Sequence, residues 1–264
     1  MIPKIKDIDE TQAPLLDHLI ELRSRLLKAV GALLAAFVVC LYFASDIFGF
    51  LVQPLLSAGQ GRMIYTKLYE AFFVELKVAL FAAFFVSFPI IANQLWAFVA
   101  PGLYAREKKA FLPFLVATPV LFMLGAALAY YLVMPTAFRW MLGFEGETGG
   151  LKLEALPATG DYLTLVMQFI LAFGISFLLP VLLLLLNRAG IVGRAQLAHA
   201  RRYVIVAIAI VAAIVTPPDI LSQVLLIIPL MLLFEGSLLI MWFTDRKKAK
   251  EEAAEAPAEA PTEG

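Results

Sequence analysis

The chain has 264 residues, 62% of them hydrophobic, and its mean hydropathy is +0.87. Soluble domains contain about 45–50% apolar residues, so a soluble fold of this length could not bury so much apolar surface. The 21 basic and 21 acidic residues give a formal net charge of zero, so the chain lacks the excess of basic residues that favours binding of nucleic acid. The single cysteine, Cys40, excludes a disulfide framework and a Cys-based metal site.

The first predicted element is an amphipathic helix over residues 13–28, ahead of the first membrane span. Leucines recur at helical spacing along one face, the opposite face is charged, and Pro14 suits a first helical turn. The leucines are Leu15, Leu19, Leu22 and Leu26.

Six continuous apolar segments follow, most of them long enough to cross a hydrocarbon core about 30 Å thick. They are Val30–Phe48, Val78–Phe98, Leu112–Met134, Leu163–Leu186, Tyr203–Val215 and Leu221–Trp242. Lipid cannot satisfy backbone polar groups, so such segments must be helical unless they alternate as barrel strands do, and these do not alternate. The sequence therefore predicts an all-α membrane protein with six transmembrane helices.

The fifth segment is shorter than the others. A helix over Tyr203–Val215 would rise only about 20 Å, less than the thickness of the hydrocarbon core. The turn Thr216–Asp219, which contains two prolines, then sends the chain back. We predict that helices five and six are short and form a hairpin that does not fully span the membrane.

The remaining segments connect or flank these helices. The connections Gly49–Glu75 and Ala137–Tyr162 are long enough to contain short helices of their own. Residues 249–264 are rich in Ala, Pro and Glu, a composition typical of disorder. The predicted domains are therefore a membrane domain over residues 1–248 and a disordered acidic tail over 249–264.

Basic residues are distributed unequally between the two sets of loops that the six segments define. The set that includes both termini holds sixteen of the 21 Lys and Arg residues, and the other set holds five. Cytoplasmic loops carry the excess of Lys and Arg, so the pattern predicts that both termini are cytoplasmic.

Acidic residues in or beside apolar segments are candidates for function, because a charge in the bilayer is costly. Glu235 lies within the sixth segment, about 10 Å from its Trp242 end. It is either a structural group, bonded for example to Asn93 or Gln94 on the second segment, or part of a polar transport or docking surface. The residues alone favour neither.

Three further acids have local explanations. Glu21 is spaced to form an i,i+4 ion pair with Arg25, and Glu107 fits an ordinary solvated loop. Asp219 precedes helix six and is placed to cap it through amides near Leu221 or Ser222.

Five stretches of the sequence resemble signature segments of the TatC family, which belongs to the twin-arginine protein translocase. They are HLIELRSRLL (His18–Leu27), FPIIANQLWAFVAPGLYAREKK (Phe88–Lys109), FMLGAALAY (Phe122–Tyr130), FGISF (Phe173–Phe177) and TPPDILSQ (Thr216–Gln223). The resemblance covers nearly the whole chain apart from the tail, and it implies a concave, cup-like bundle of six helices.

The resemblance also implies roles for individual residues. The two signal-binding glutamates of the family correspond to Glu21 and Glu107, and an aromatic residue at the same surface corresponds to Phe98. Leu22 is expected to contact the signal with Phe98, and Arg23 is one of the bases that keep the carboxylates ionised. The other matched positions, which concern partner helices or structure, are Pro54, Tyr130, Thr216, Asp219, Gln223 and Glu235.

One position departs from the family pattern. Many relatives carry an acidic or amide residue directly after the FGxSF segment, where this chain has Leu178. A buried polar contact for a partner helix is therefore not expected there, and Gln168 is a candidate substitute.

Taken together, the residues and the resemblance predict a receptor subunit of a protein translocase. It would bind twin-arginine signal peptides of folded precursors, form an oligomeric complex with TatA/TatB-type single-span proteins, and use the proton-motive force. No phosphate loop, nucleophile set or metal-ligand cluster is spaced for chemistry, so neither an enzyme nor a cofactor is expected. The alternative is a proton-coupled secondary transporter of small solutes, which would be expected to show internal repeats.

Overall fold

The structure is a computed structural model that describes residues 9–103, 108–216 and 219–255. Its helices are α1 (Asp9–Tyr42), α2 (Ala44–Ala58), α3 (Glu70–Leu103), α4 (Lys108–Leu128), α5 (Met134–Leu142), α6 (Thr159–Ser176), α7 (Leu179–Arg188), α8 (Arg194–His199), α9 (Arg201–Val215) and α10 (Ile220–Glu255). A π-helical turn, Ala129–Val133, joins α4 to α5, and a hairpin of β1 (Gly146–Thr148) and β2 (Leu151–Leu153) follows α5.

Five helical stretches of the described chain are long and apolar enough to cross a membrane. They are Leu19–Tyr42, Glu70–Phe98, Pro113–Leu142, Thr159–Arg188 and Ile220–Arg246. The third stretch combines α4, the π-helical turn and α5, and the fourth combines α6 and α7. Spans one to four and span six of the prediction are therefore present as helices. The fifth predicted segment corresponds to α9, whose 15 residues rise only about 22 Å.

Helices five and six form the expected hairpin, but they are unequal in length. The prediction that helix six is short is wrong, because α10 has 36 residues and its apolar part, Ile220–Arg246, has 27. The helix also continues to Glu255, which moves the start of the predicted disordered tail beyond residue 249. Ala, Glu and Lys at this end are strong helix formers, so the helix has no local reason to stop. Residues 256–264 lie outside the described part of the chain.

The amphipathic segment 13–28 is not a separate helix, which corrects the sequence prediction. It forms the first turns of α1, which runs without interruption to Tyr42. Gly31 is too weak a breaker to end a helix, since a glycine costs only about 1 kcal/mol relative to alanine. α1 packs antiparallel on α3 through small side chains, with Cys40 against Ala79 and Ala83, and Ala44 at the start of α2 joins the same cluster.

The two long connections meet at one end of the bundle, here called the outer end. The first connection contains the short helix α2, as predicted, whereas the second contains the β1–β2 hairpin instead of a helix. Gly149 and Gly150 in its turn have φ values of +62° and +82°, which suit a type I′ hairpin and not a helix. The amide of Ile64 donates to the Pro157 carbonyl at 3.1 Å, and the Thr159 amide donates to the Ile64 carbonyl at 2.9 Å. These bonds join the two connections.

The opposite end of the bundle is the basic end. It carries the start of α1, the end of α7, α8, the start of α9 and the end of α10, with Arg25, Arg188, Arg194, Arg201 and Arg246 among its side chains. Arg194 on α8 forms an ion pair with Asp245 on α10 at 3.8 Å. The gathering of basic side chains at one end follows the loop asymmetry that the sequence contains.

The third and fourth spans cross at two glycines. A Cβ atom on Gly125 would overlap the carbonyl oxygen of Phe173, and one on Gly174 would lie 2.7 Å from the ring of Phe122. Small residues at such crossings let helix backbones approach closely in a membrane. The Phe122 ring is fully buried and stacks on Phe88 of the second span at 3.9 Å between centroids, so the crossing ties three spans together.

Candidate functional site

Glu21 lies on the first turns of the membrane-spanning part of α1, at the basic end. Arg25, one helical turn later, donates its Nε–H to Oε1 of Glu21 at 2.9 Å, which confirms the predicted i,i+4 pair. The Glu21 side chain is 35% exposed and that of Arg25 is 25% exposed. Leu22 and Arg23 are exposed on the neighbouring faces of the helix. The carboxylate is therefore accessible and already binds a guanidinium group.

Phe98 lies at the same level as Glu21. The antiparallel α1 and α3 pack together where Cys40 meets Ala79 and Ala83. At 1.5 Å per residue, Glu21 lies about 28 Å from this contact along α1, and Phe98 lies about 23–28 Å from it along α3. Glu107, the other predicted signal-binding acid, lies outside the described residues. The helices on either side of it, α3 and α4, end and begin at the basic end.

A hydrogen bond that sequence reasoning missed fixes the helices next to Phe98. The indole N–H of Trp96 on α3 donates to Oγ1 of Thr118 on α4 at 2.7 Å, and the buried Thr118 hydroxyl donates to the Phe114 carbonyl at 2.8 Å. The indole thus finds the partner that a tryptophan N–H needs in an apolar environment. This contact orients α3 and α4 where they approach the basic end.

Pro54 lies inside α2, at the outer end, and creates a local gap in the hydrogen bonding of that helix. A proline has no N–H, so the carbonyl of Phe50, four residues earlier, has no helical donor. The Tyr130 hydroxyl donates to this carbonyl at 2.6 Å, and its ring stacks on the Phe50 ring at 4.4 Å. The Tyr162 hydroxyl of α6 donates to the adjacent Leu51 carbonyl at 2.8 Å. Pro54 and Tyr130, both predicted site residues, are therefore parts of one structural arrangement.

This arrangement predicts a coupling between Tyr130 and Pro54. Tyr130→Phe should keep the ring stacking but leave the Phe50 carbonyl without a donor, which destabilises the protein by about 1–3 kcal/mol. In a Pro54→Ala background the new backbone N–H can supply the donor, so the same substitution should have a much smaller effect. Thermal unfolding of the two single variants and the double variant in detergent measures the coupling.

Tyr131→Phe is the matched control, because this neighbouring ring is 71% exposed. It should unfold like the parent protein. An equal loss of stability from Tyr130→Phe in the parent protein and in the Pro54→Ala variant would rule out the proposed coupling.

Glu70 is the second feature that sequence reasoning missed. Its Oε2 accepts hydrogen bonds from the Thr66 amide at 2.6 Å, the Thr66 hydroxyl at 2.9 Å and the Lys67 amide at 3.1 Å. Its Oε1 accepts from the Gly160 amide in the first turn of α6 at 2.7 Å. The carboxylate therefore joins the start of α3 to the start of α6, where the helix dipole favours a negative charge. Glu70 precedes the second predicted segment, which begins only at Val78, and the sequence prediction therefore gave this acid no role.

The α9–α10 hairpin holds three predicted site residues. The Asp219 carboxylate accepts from the Ser222 amide at 2.6 Å, so Asp219 is the predicted cap of helix six. Thr216 is buried and donates its hydroxyl to the Ala212 carbonyl at 2.8 Å. The Gln223 amide donates to the Ala209 carbonyl at 3.4 Å, a long bond between the two helices. All three side chains thus contribute to the hairpin itself.

Glu235 contacts Arg201 at the start of α9. Their Oε2 and Nη2 atoms lie 2.9 Å apart. The partner is therefore on the short fifth helix and not the suggested Asn93 or Gln94. Because α9 begins at the depth of Glu235, Arg201 supplies the counter-charge that a carboxylate at this depth requires, and both side chains remain about half exposed.

Leu178 and Gln168 lie in different surroundings. Leu178, between α6 and α7, packs against the apolar cluster of Phe88, Ala92 and Phe122, which suits a leucine. Gln168 lines a groove of about 650 Å³ with Lys77 of α3 and side chains of α9. Gln168 therefore lies in a mostly apolar groove with a few polar side chains, ten residues before Leu178 in the sequence.

Comparison with known proteins identifies the family. The family model described as Sec-independent protein translocase protein (TatC) matches residues 17–229. A TatC protein from Magnetococcus marinus is 50% identical over 248 residues, covering 93% of this chain and 90% of the relative. One from Escherichia coli K12 is 38% identical over 248 residues, covering 93% and 94%.

A solved structure agrees with these sequence matches. The crystal structure of a twin-arginine translocase receptor TatC is similar to this fold, with a TM-score of 0.72 and 38% identity, and the match covers 86% of this chain and 98% of that one. The chain is thus a multi-pass membrane protein whose fold is similar to that of a solved structure. The chain belongs to the TatC family of Sec-independent, twin-arginine protein translocase components, a family of protein transport and not of enzymes.

Proposed function

We propose that this chain is the signal receptor and core subunit of its translocase. It binds twin-arginine signal peptides of folded precursors at the basic end of the bundle. With TatA/TatB-type single-span partners, it then mediates their export, driven by the proton-motive force. The observation that carries the proposal is Glu21, an accessible carboxylate that binds a guanidinium group at the level of Phe98.

The chemistry of Glu21 suits an arginine of the signal. A guanidinium presents a planar fork of donors that matches a carboxylate, and a lysine ammonium does not reproduce this geometry. Arg25 already occupies Oε1 of Glu21, so an incoming arginine must share or replace this contact. An i,i+4 pair on a helix is worth only about 0.3–0.5 kcal/mol, so an incoming guanidinium can compete with Arg25 for this partly exposed carboxylate. Glu107 is proposed as the second acid on the basis of the family pattern.

Partner helices are proposed to pack along the α9–α10 hairpin, beside the short helix α9. The outward face of α9 is apolar and exposed, with Val206, Ile210 and Ile214 each more than half exposed. Gln223 holds α9 through a bond of 3.4 Å, which a polar side chain of a partner helix can replace at little cost. Thr216 is buried, so its contribution to such a contact acts through the shape of the hairpin.

Both termini are proposed to lie in the cytoplasm, at the basic end. A reporter fused after Gly150, in the β-hairpin turn, should be accessible only from outside the bacterial inner membrane. Reporters fused after Ala195 or Lys250 should be accessible only from the cytoplasm, because the basic residues gather at that end. An external reporter at Ala195 would refute the six-segment topology.

Co-purification separates this function from transport of a small solute. The protein is extracted from its own membranes in mild detergent, with the Gln223→Leu variant as a comparison. A translocase subunit should bring down small single-span proteins and twin-arginine precursors, and the variant should retain less of the single-span proteins. Recovery of the chain alone, together with stoichiometric uptake of a solute by reconstituted vesicles, would favour the transporter instead.

A further inference from the structure

The β1–β2 hairpin, at the outer end, has no role in the function proposed above. Successive side chains of a strand point to opposite faces, so Leu151 and Leu153 share one face of β2 and Lys152 lies on the other. Glu147 is the cross-strand partner of Lys152, so two opposite charges lie side by side on that second face. The hairpin is therefore amphipathic, with a leucine face and a charged face.

The leucine face is uncovered. Leu151 is 67% exposed and Leu153 is 49% exposed. A two-stranded hairpin alone in water is at best marginally stable, and it gains stability when its apolar face packs on another surface. A surface outside the described part of the chain is therefore expected to cover the two leucines.

The base of the hairpin is attached to the bundle. Oε1 of Glu145, just before β1, accepts a hydrogen bond from the Ala155 amide just after β2, at 2.9 Å. The side-chain amide of Gln60, in the first outer connection, donates to the Ala155 carbonyl. The hairpin is therefore anchored at a defined place on the outer end.

An exposed apolar surface of the third span leads to the hairpin. Leu132 and Trp140 are exposed within the membrane-spanning stretch Pro113–Leu142. The Trp140 ring packs edge to face on the exposed ring of Phe144, with 5.0 Å between centroids. Phe144 lies two residues past that stretch, and β1 begins two residues later. Because tryptophan is enriched at the membrane–water interface, the hairpin continues a lipid-facing surface at this level.

We propose that the hairpin lies on the membrane surface at the outer end and inserts Leu151 and Leu153 between lipid headgroups. A membrane surface suits both faces, since it offers apolar contact below and water above for Glu147 and Lys152. The outer backbone edges of β1 and β2 have unpaired N–H and C=O groups, which hydrocarbon cannot satisfy. The strands therefore stay in the hydrated headgroup layer, and only the leucine side chains reach the boundary of the hydrocarbon.

Site-directed spin labelling tests this orientation. Cys40→Ala removes the native cysteine and suits the small-residue contact between α1 and α3. In this background a nitroxide is attached to one new cysteine at a time, in Glu147→Cys, Leu151→Cys, Lys152→Cys and Leu153→Cys. The full chain is reconstituted without partners into vesicles of phosphatidylethanolamine and phosphatidylglycerol. Electron paramagnetic resonance then measures access of each label to oxygen, which concentrates in lipid, and to a water-soluble nickel chelate.

The ratio of oxygen access to nickel access should alternate along the hairpin with the period of a strand. It should be several-fold higher for the labels in Leu151→Cys and Leu153→Cys than for those in Glu147→Cys and Lys152→Cys. The last two variants are the matched controls, because they carry the same label on the charged face of the same hairpin.

Two results would overturn the proposal. Equal ratios at the four positions would mean that the hairpin is immersed in water or does not form in the membrane. Poor access of both reagents to the labels on the leucine face, with spin–spin broadening that grows with the ratio of protein to lipid, would assign this face to a second copy of the chain. If the label in Leu151→Cys disturbs the turn, Leu153→Cys tests the same face independently.

Discussion

Gly125→Leu is expected to remove most of the folded protein from the membrane. Any Cβ at this position overlaps the carbonyl oxygen of Phe173 and lies 2.8 Å from the ring of Phe177. A carbonyl in a continuous helix cannot rotate away, so α4 and α6 must separate along their crossing. Overpacking of a core usually costs about 1–3 kcal/mol, and a clash with backbone should exceed the upper end of that range.

Membrane abundance and the unfolding temperature of the purified protein measure this effect. Gly31→Leu is the matched control, because it makes the same change in another span where the Cβ position is open. It should accumulate and unfold like the parent protein. If Gly125→Leu behaved like Gly31→Leu, the close crossing of the third and fourth spans would not exist in the membrane.

Substitutions of the two acids at the proposed signal site are expected to have the second large effect. Glu21→Ala and Glu107→Ala should each weaken binding of a twin-arginine peptide by roughly tenfold or more, since each removes a charge-assisted hydrogen bond. Glu21→Lys should be worse than Glu21→Ala, because it adds repulsion to the lost contact. The two losses should not add if both acids hold the same pair of arginines.

Isothermal titration with the purified variants measures these affinities. Glu147→Gln is the control, because Glu147 is an exposed acid in the β-hairpin at the outer end. It should bind the peptide like the parent protein. Unchanged affinity in Glu21→Lys would exclude Glu21 from the binding surface.

The membrane class and most helices could be predicted from the sequence, because continuous apolar segments have no other stable form in lipid. The shortness of α9 also followed from residue count. The length of α10 could not be inferred from the turn at Thr216–Asp219, since that turn fixes where the helix begins and not where it ends. Likewise, the amphipathic segment and the first span form one continuous helix because no strong helix breaker separates them near Gly31.

The site was predictable only where its contacts are local. Glu21–Arg25 and Asp219–Ser222 are three or four residues apart, and both were expected from spacing. Tyr130–Phe50 and Glu70–Gly160 join residues 80 and 90 positions apart. The periodicity of a single sequence does not encode such pairs. That Tyr130 supplies the hydrogen bond lost at Pro54 therefore follows only from the packing of the spans.

Discrimination between two peptides tests the central claim most directly. A twin-arginine signal peptide and its Lys-Lys counterpart are titrated against the parent protein, Glu21→Ala, Glu107→Ala and the double variant. The parent protein should bind the Arg-Arg peptide roughly tenfold more tightly or better, because a lysine cannot form the forked contact. The double variant should bind both weakly and lose most of this difference. If the double variant still distinguished Arg-Arg from Lys-Lys as sharply as the parent protein, Glu21 and Glu107 would not recognise the signal.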